Sequence, residues 1–319
     1  MNNYSTLERI LHKIALSSQF MREVTFDFES AFLYSDNNPK DNIFIAGLAR
    51  SGTTILLNSL YKSNIFASLT YRDMPFILAP NLWSKLSSKE IGSNFKERSH
   101  GDGIKFGIDS PEAFEEIFWK TFAEDEVDTI PKFQIFINNI LNKYHKNRYL
   151  SKNNQNIKRI QLIADFFECS EILIPFRDPI QQSYSLLTQH KRFIDFAKKD
   201  RFIAKYMNWI GHTEFGPNYI PIHTGNIFKD DLDINHWLEQ WYLTYKNCVE
   251  TLINKKNVHF VSYERLCSSK DYWIKILNMV KIKNFYKYEF IESRRKIYLD
   301  LDSKIINDSL TLYDELNKL

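Results

Sequence analysis

The stretch Gly47-Leu48-Ala49-Arg50-Ser51-Gly52-Thr53-Thr54 carries the residue types of an anion site. An apolar run, Asn42 to Ala46, precedes it, and a helical pattern, Thr53 to Tyr61, follows it. A helix starting there has its first backbone N–H groups without intrahelical partners. The aligned peptide dipoles add partial positive charge at the same end. Glycines at positions 47 and 52 let the backbone approach an anion closely. Ser51, Thr53 and Thr54 bring hydroxyl donors, and Arg50 brings a permanent cation. The two glycines have the spacing of the nucleoside triphosphatase loop, G-x-x-x-x-G-K-[ST], yet Thr53 stands where that loop has lysine. No convincing strand ends in an Asp for Mg²⁺. The cation lies inside the turn instead, which suits a shorter anion approached from that side.

A second stretch, Arg177-Asp178-Pro179-Ile180-Gln181-Gln182-Ser183-Tyr184-Ser185, repeats the geometry at the end of another apolar run, Glu171 to Phe176. Pro179 suits the first turn of a helix, and Ser185 falls two turns into it. An Arg at a strand end and a Ser on the next helix can grip one phosphate from two sides. Either turn alone is also what ordinary helix capping produces. The pair is better explained by one ligand with anionic groups at both ends of a nucleoside. Open α/β sheets bind ligands at the carboxyl ends of their strands.

These turns need strands behind them. Strand patterns lie at Asn42–Ala46, Glu171–Phe176 and Val258–Tyr263, each a continuous apolar run of the kind buried on both faces. Helical patterns lie at about 111–124, 131–146, 155–167 and 236–256. The alternation implies an α/β fold, a mainly parallel sheet flanked by helices. Segments 66–130 and 191–235 are poor in strand signals and read as helical insertions within one domain, 1–319, able to shape an acceptor site. The second contains Gly211–Gly225, rich in Gly, Pro and His. Residues 1–40 read as a helical extension, with Leu7, Ile10, Leu11 and Ile14 at helical spacing.

Composition narrows the classes further. Lys plus Arg total 42 against 39 Asp plus Glu, so the net charge of +3 argues against a nucleic-acid binder. The cysteines Cys169, Cys248 and Cys267 lack zinc or redox spacing, which suits a reducing compartment. The N-terminus lacks the pattern of a signal peptide, and no apolar run is long enough to span a bilayer. A cytoplasmic location is expected.

The two turns together resemble the PAPS-dependent sulfotransferases (PAPS is 3′-phosphoadenosine 5′-phosphosulfate). In that family [RK]-[ST]-G-T-[TS] binds the 5′-phosphosulfate and R-x-P-x5-S binds the 3′-phosphate. The chain has Arg50-Ser51-Gly52-Thr53-Thr54 and Arg177-x-Pro179-x5-Ser185, in the family's order. Leu150-Ser151-Lys152-Asn153 resembles the family's K-x-P stretch, with Asn154 in place of Pro. Val261-Ser262-Tyr263-Glu264-Arg265-Leu266 resembles its late Y-E-x-L strand end. The resemblance spans about 43–266. Arg in the first motif is similar to the bacterial and tyrosylprotein branches. Tyr71-Arg72-Asp73-Met74-Pro75-Phe76-Ile77-Leu78-Ala79 is similar to the tyrosylprotein branch, where E-x-R precedes P-x-I-L-A, although Thr70 stands where that branch has its catalytic Glu. The family's R-K-G loop has only a weak counterpart, Arg294-Arg295-Lys296.

The resemblance implies sulfuryl transfer from PAPS to an acceptor hydroxyl, less readily an amine, with a carbohydrate among the candidate acceptors. A nucleotide kinase or hydrolase is the alternative, and the absent lysine counts against it. Arg50, Ser51, Gly52, Thr53, Thr54, Arg177 and Ser185 would bind the nucleotide. Arg50 and Lys152 would stabilise the charge that develops as the donor bond breaks. The electrostatics require no metal. For the general base, Asp73 ranks first and His100 second, with Asp102 beside it.

Overall fold

The computed structural model describes residues 6–33, 40–87, 96–97, 105–122, 126–283, 287–292 and 294–319; His100 and Asp102 lie outside the described residues. Two helices open the chain, α1 (Thr6–Leu16) and α2 (Gln19–Leu33). Strand β1 (Ile43–Ile45) runs into α3 (Thr53–Tyr61), followed by β2 (Phe66–Ala67) and α4 (Pro80–Leu86). The short strands β3 (Lys96–Glu97) and β4 (Lys105–Phe106) pair antiparallel with each other. Helices α5 (Glu116–Phe122) and α6 (Glu126–Tyr144) lead to β5 (Arg148–Lys152), α7 (Ile160–Phe166) and β6 (Glu171–Phe176). Next come α8 (Pro179–Lys199), α9 (Arg201–Trp209) and α10 (Ile234–Leu252). The last elements are β7 (Val258–Ser262), α11 (Tyr263–Ser268), α12 (Lys270–Met279) and α13 (Ser303–Lys318).

Five strands form one parallel sheet in the order β2-β5-β1-β6-β7. Ile45 at the end of β1 lies opposite Lys152 of β5 and Leu173 of β6. Parallel pairing sends the turns after β1, β5 and β6 out of the same edge. The strand order switches sides at β1, with β5 on one side and β6 on the other, and such a switch point is where open parallel sheets form a crevice.

β1 is buried on both faces, and its side chains alternate between two cores as strand geometry requires. Phe44 packs against Tyr149, Phe133 and Phe167 on one face. Ile43 and Ile45 join Leu56, Leu57 and Leu60 of α3 and Trp273 of α12 on the other. Phe133 is also in ring contact with Phe118 and Trp119, at 5.2 and 4.6 Å between centroids.

The helix expected over 111–124 begins only at Glu116. Ser110 Oγ accepts from the Gly107 N–H at 2.9 Å, and Pro111 bridges to Thr70, so these residues shape a turn rather than start a helix. The pattern over 155–167 divides into a 3-10 turn, Asn154–Lys158, and α7, because Arg159 leaves helical backbone (φ −117°, ψ 17°). In the extension, α1 buries His12, Ala15 and Leu16, while Ile10 and Ile14 are half exposed. Glu29 of α2 is fully buried. It accepts hydrogen bonds from Asn81 N at 2.8 Å and Leu82 N at 2.9 Å, so the extension caps α4. Among the described residues no helix is long and apolar enough to cross a membrane.

Truncating Phe133 to Ala removes the ring that joins β1 to α5 and α6. The expected loss of unfolding free energy is about 3–5 kcal/mol, read from urea denaturation.

Candidate active site

The loop between β1 and α3 has a backbone that only particular residues tolerate. Gly52, just before α3, has φ 95°. A Cβ there would lie 2.7 Å from the ring of Tyr263. A Cβ on Gly47 would lie 2.9 Å from the Pro175 carbonyl oxygen. Both positions therefore need glycine. Arg50 also has a left-handed φ, 70°, unfavourable for a residue with a side chain. Its guanidinium crosses the crevice, and Nε donates to Ser185 Oγ at 3.0 Å.

The loop is pinned from several sides. Ser51 Oγ donates to the Leu48 carbonyl at 2.8 Å. Gln182 of α8 donates to the Ala49 carbonyl at 3.1 Å, and Trp241 of α10 donates to Gln182 at 3.0 Å. Thr53 Oγ1 donates to Asn154 Oδ1 at 3.3 Å. The hydroxyls of Ser51 and Thr53 thus hold the loop in shape, whereas Thr54 sits half-buried in the first turn of α3. The cradle itself consists of backbone amides and Arg50.

The turn after β6 is built in parallel. Asp178 caps α8 by accepting from Gln181 N at 2.9 Å, and Pro179 takes the first helical position. Arg177 is nearly buried, its guanidinium 4.8 Å above the Tyr263 ring. Glu264 Oε1 accepts from Asp178 N at 3.1 Å. Burial raises the Glu264 carboxyl above its ordinary pKa, against the lowering effects of hydrogen bonds and of Arg177. Ser185 lies in α8 on the side that meets Arg50. The segment Arg294-Arg295-Lys296 comes to this same turn, where Gln181 exchanges two hydrogen bonds, of 3.0 and 2.9 Å, with the Arg295 backbone.

Lys152 ends β5 beside Ile45 and is buried. Asn153 donates to Glu116 at 2.8 Å, and Glu116 pairs with Arg159 at 2.9 Å. Arg50, Lys152, Arg177 and Ser185 are thereby gathered at the carboxyl ends of three neighbouring strands.

Asp73 is placed differently. It is fully buried, and its carboxylate accepts from Thr70 N at 2.6 Å and from Tyr144 Oη at 2.7 Å. It also forms an ion pair with the buried Lys143. Burial, then the Asp73 charge, raises the Tyr144 hydroxyl far above its ordinary pKa, so Tyr144 remains a donor. These contacts give Asp73 the work of a buried cap on the segment after β2.

Sequence reasoning left two contributors unassigned. Tyr263 lay inside a recognised stretch, but nothing local shows that its ring meets both Gly52 and Arg177. Gln182 lay inside the second motif at a variable position. Only the helix register turns it toward Ala49.

Fold and site define an α/β protein with a strand–loop–helix cradle and paired cations at the carboxyl edge of a parallel sheet. Residues 42–277 match the family model described as the sulfotransferase family, and the chain belongs to that family. It is a sulfotransferase. No curated protein matches the sequence. The fold is similar to that of sulfotransferase STF1 from Mycobacterium tuberculosis H37Rv, at 12% identity and TM-score 0.50, over 96% of this chain and 81% of that one. Sulfotransferase STF9 from Mycobacterium avium aligns at 10% identity and TM-score 0.46, over 99% and 79% of the two chains. A sulfotransferase from Alicyclobacillus acidocaldarius aligns at 12% identity and TM-score 0.42, over 87% and 92%.

Replacing Asp73 by Asn leaves the Lys143 ammonium buried without its counter-charge. The expected cost is about 3–5 kcal/mol of stability in urea unfolding. Adding Lys143→Met should recover part of it. A loss near zero would contradict the structural role given to Asp73.

Proposed function

We propose that the protein transfers a sulfuryl group from PAPS to a hydroxyl acceptor, with a carbohydrate the favoured class. The observation that carries this reading is the hydrogen bond between Arg50 and Ser185, 3.0 Å long. It joins the loop after β1 to the helix after β6, the two places where one doubly anionic nucleotide would be held. The cradle at Gly47 and Gly52, whose space a Cβ would fill, fits a phosphate approached by backbone amides. Arg177, held over the Tyr263 ring, fits the nucleotide's second phosphate.

PAPS supplies the sulfuryl group and, on its departure, a phosphate oxygen that must accept negative charge. Arg50, the N-terminus of α3 and Lys152 are assigned to that oxygen, since fixed positive groups in a buried site stabilise developing charge. Positioning carries much of the remaining acceleration, as in phosphoryl transfer. Segments 66–130 and 191–235 are assigned to the acceptor side, within a single catalytic unit. Asp73 would have to release Lys143 and Tyr144 before taking a proton, so it is assigned to positioning that side.

Adenosine 3′,5′-bisphosphate should raise the melting temperature without Mg²⁺, as any ligand of the native state does by mass action. Mg-ATP should do so poorly; a preference for Mg-ATP would favour a kinase or hydrolase. Arg177→Ala should cost about 1.5–3 kcal/mol of binding to the bisphosphate, the worth of a hydrogen bond to a charged group. AMP, which lacks the 3′-phosphate, should be barely affected. Equal losses for both nucleotides would overturn the assignment of Arg177. Arg50→Ala should weaken both nucleotides and abolish transfer to any acceptor.

A further inference from the structure

Gln182 lies in α8, one helical turn before Ser185, and is fully buried. Its side chain has two partners of opposite demand. Trp241 Nε1, which can only donate, gives its proton to Gln182 Oε1 at 3.0 Å. The Ala49 carbonyl, which can only accept, takes one from Gln182 Nε2 at 3.1 Å. The carboxamide therefore has a single orientation. An amide meets both demands, whereas a carboxylate, an acceptor alone, cannot.

The carbonyl held in this way belongs to the peptide between Ala49 and Arg50. A trans peptide unit is planar, so fixing its C=O also fixes the Arg50 N–H, which points the opposite way. Arg50 itself has φ 70°, a left-handed backbone that an L-residue leaves unless its neighbours hold it there. The same turn of α10 braces the neighbouring strand end. Tyr245, in ring contact with Trp241 at 4.9 Å between centroids, donates to the Pro175 carbonyl at 2.7 Å. Gly47 packs against that very oxygen. Both rings are fully buried. The loop after β1 is thus set at two points by one turn of α10, directly through Pro175 and by way of Gln182.

We propose that Gln182 is a positioning residue for sulfuryl transfer, aiming the Ala49–Arg50 peptide, and with it Arg50, at the 5′ end of the donor nucleotide. The inference rests on the sulfuryl-transfer reading, which assigns that end to the loop after β1. Gln182 acts through Arg50. Without the amide, the buried Ala49 carbonyl either stays unpaired or turns to another partner, and a turn carries the Arg50 N–H with it. The turn after β6 has its own supports, the Asp178 cap and the Tyr263 ring, so the loss falls on the 5′ side.

The test measures affinity, by calorimetry, for AMP, adenosine 3′-monophosphate and adenosine 3′,5′-bisphosphate. Gln182→Met should weaken AMP and the bisphosphate roughly 10-fold, the scale of a lost hydrogen bond that orphans a buried carbonyl. Adenosine 3′-monophosphate should bind as before. Gln182→Glu adds a readout that packing alone would not move. A carboxyl buried there titrates above its ordinary range. Protonated, it donates to the Ala49 carbonyl and accepts from Trp241; ionised, it turns an acceptor on that carbonyl. Its AMP affinity, relative to the wild type at the same pH, should be near one in acid and fall as pH rises. Tyr245 nearby does not titrate over this range, because burial raises its hydroxyl far above the ordinary value. Should Gln182→Met not fold, Trp241→Phe, which releases only Gln182 Oε1, should give a smaller loss with the same 5′ selectivity. Equal losses for the two monophosphates, no loss for either, or a Gln182→Glu ratio flat with pH would overturn the role of Gln182. Failure of the wild-type enzyme to bind the bisphosphate would instead overturn the underlying sulfuryl-transfer reading.

Discussion

The contact between Arg50 and Ser185 sets a constraint on the whole molecule. Two turns far apart in sequence must sit within one side chain's reach, and one of them must hold an arginine in left-handed backbone. Such a conformation persists only where the surroundings over-determine it. Here they do. Pro175 and Tyr263 fill the space beside Gly47 and Gly52, and Ser51 closes the turn on Leu48. Gln182 and Trp241 tie the Ala49 carbonyl to α8 and α10. The parallel sheet does the long-range part by giving β1 and β6 neighbouring places with their carboxyl ends on one edge.

The same edge concentrates positive charge, from helix N-termini and from Arg50, Lys152 and Arg177. Several carboxylates lie close behind it and are handled in different ways. Glu264 is raised by its burial and satisfied by the Asp178 amide and the Tyr313 hydroxyl. Glu116 is likewise raised by burial and is paired with Arg159. Glu214 is held as an anion. The buried Glu115 carries no nearby ion pair of its own in the described residues and is met by Trp119, Tyr149, Ser151 and Asn156 as donors. A cationic sheet edge thus stands on a layer of hydrogen-bonded or paired acids, so few buried carboxylates are left unsatisfied beside it.

Much of this was legible in the residues. The runs at 171–176 and 258–263 are strands to within a residue; β6 is buried along nearly its whole length, as its apolar sequence implies, whereas the first three residues of the edge strand β7 are only partly buried. The helix at 53–61 was equally plain. β5 was not read as a strand, since Arg148 and Lys152 bracket only three inner residues and Ser151 interrupts them. β2, two residues long, is too short for any periodicity. Asp73 looked like a loop acid from its neighbours. Its partners Lys143 and Tyr144 lie some seventy positions away, on α6. The Gly211–Gly225 stretch stood out by composition, but the 3.3 Å approach of His212 Nδ1 to Glu214 Oε2 and the close packing of Gly211 on Glu116 depend on how that loop folds back.

Tyr263 is a neighbour shared by three segments. One ring lies against the space beside Gly52, carries the Arg177 guanidinium on its face and, through its hydroxyl, holds the Ile291 carbonyl at 3.0 Å. Changes at any of these positions act on a common surface, so their energies will not sum. Epistasis is therefore built into the site. The turns after β1 and β6 and the C-terminal segment can drift in sequence only together, and a compensating change in one is to be sought in the other two.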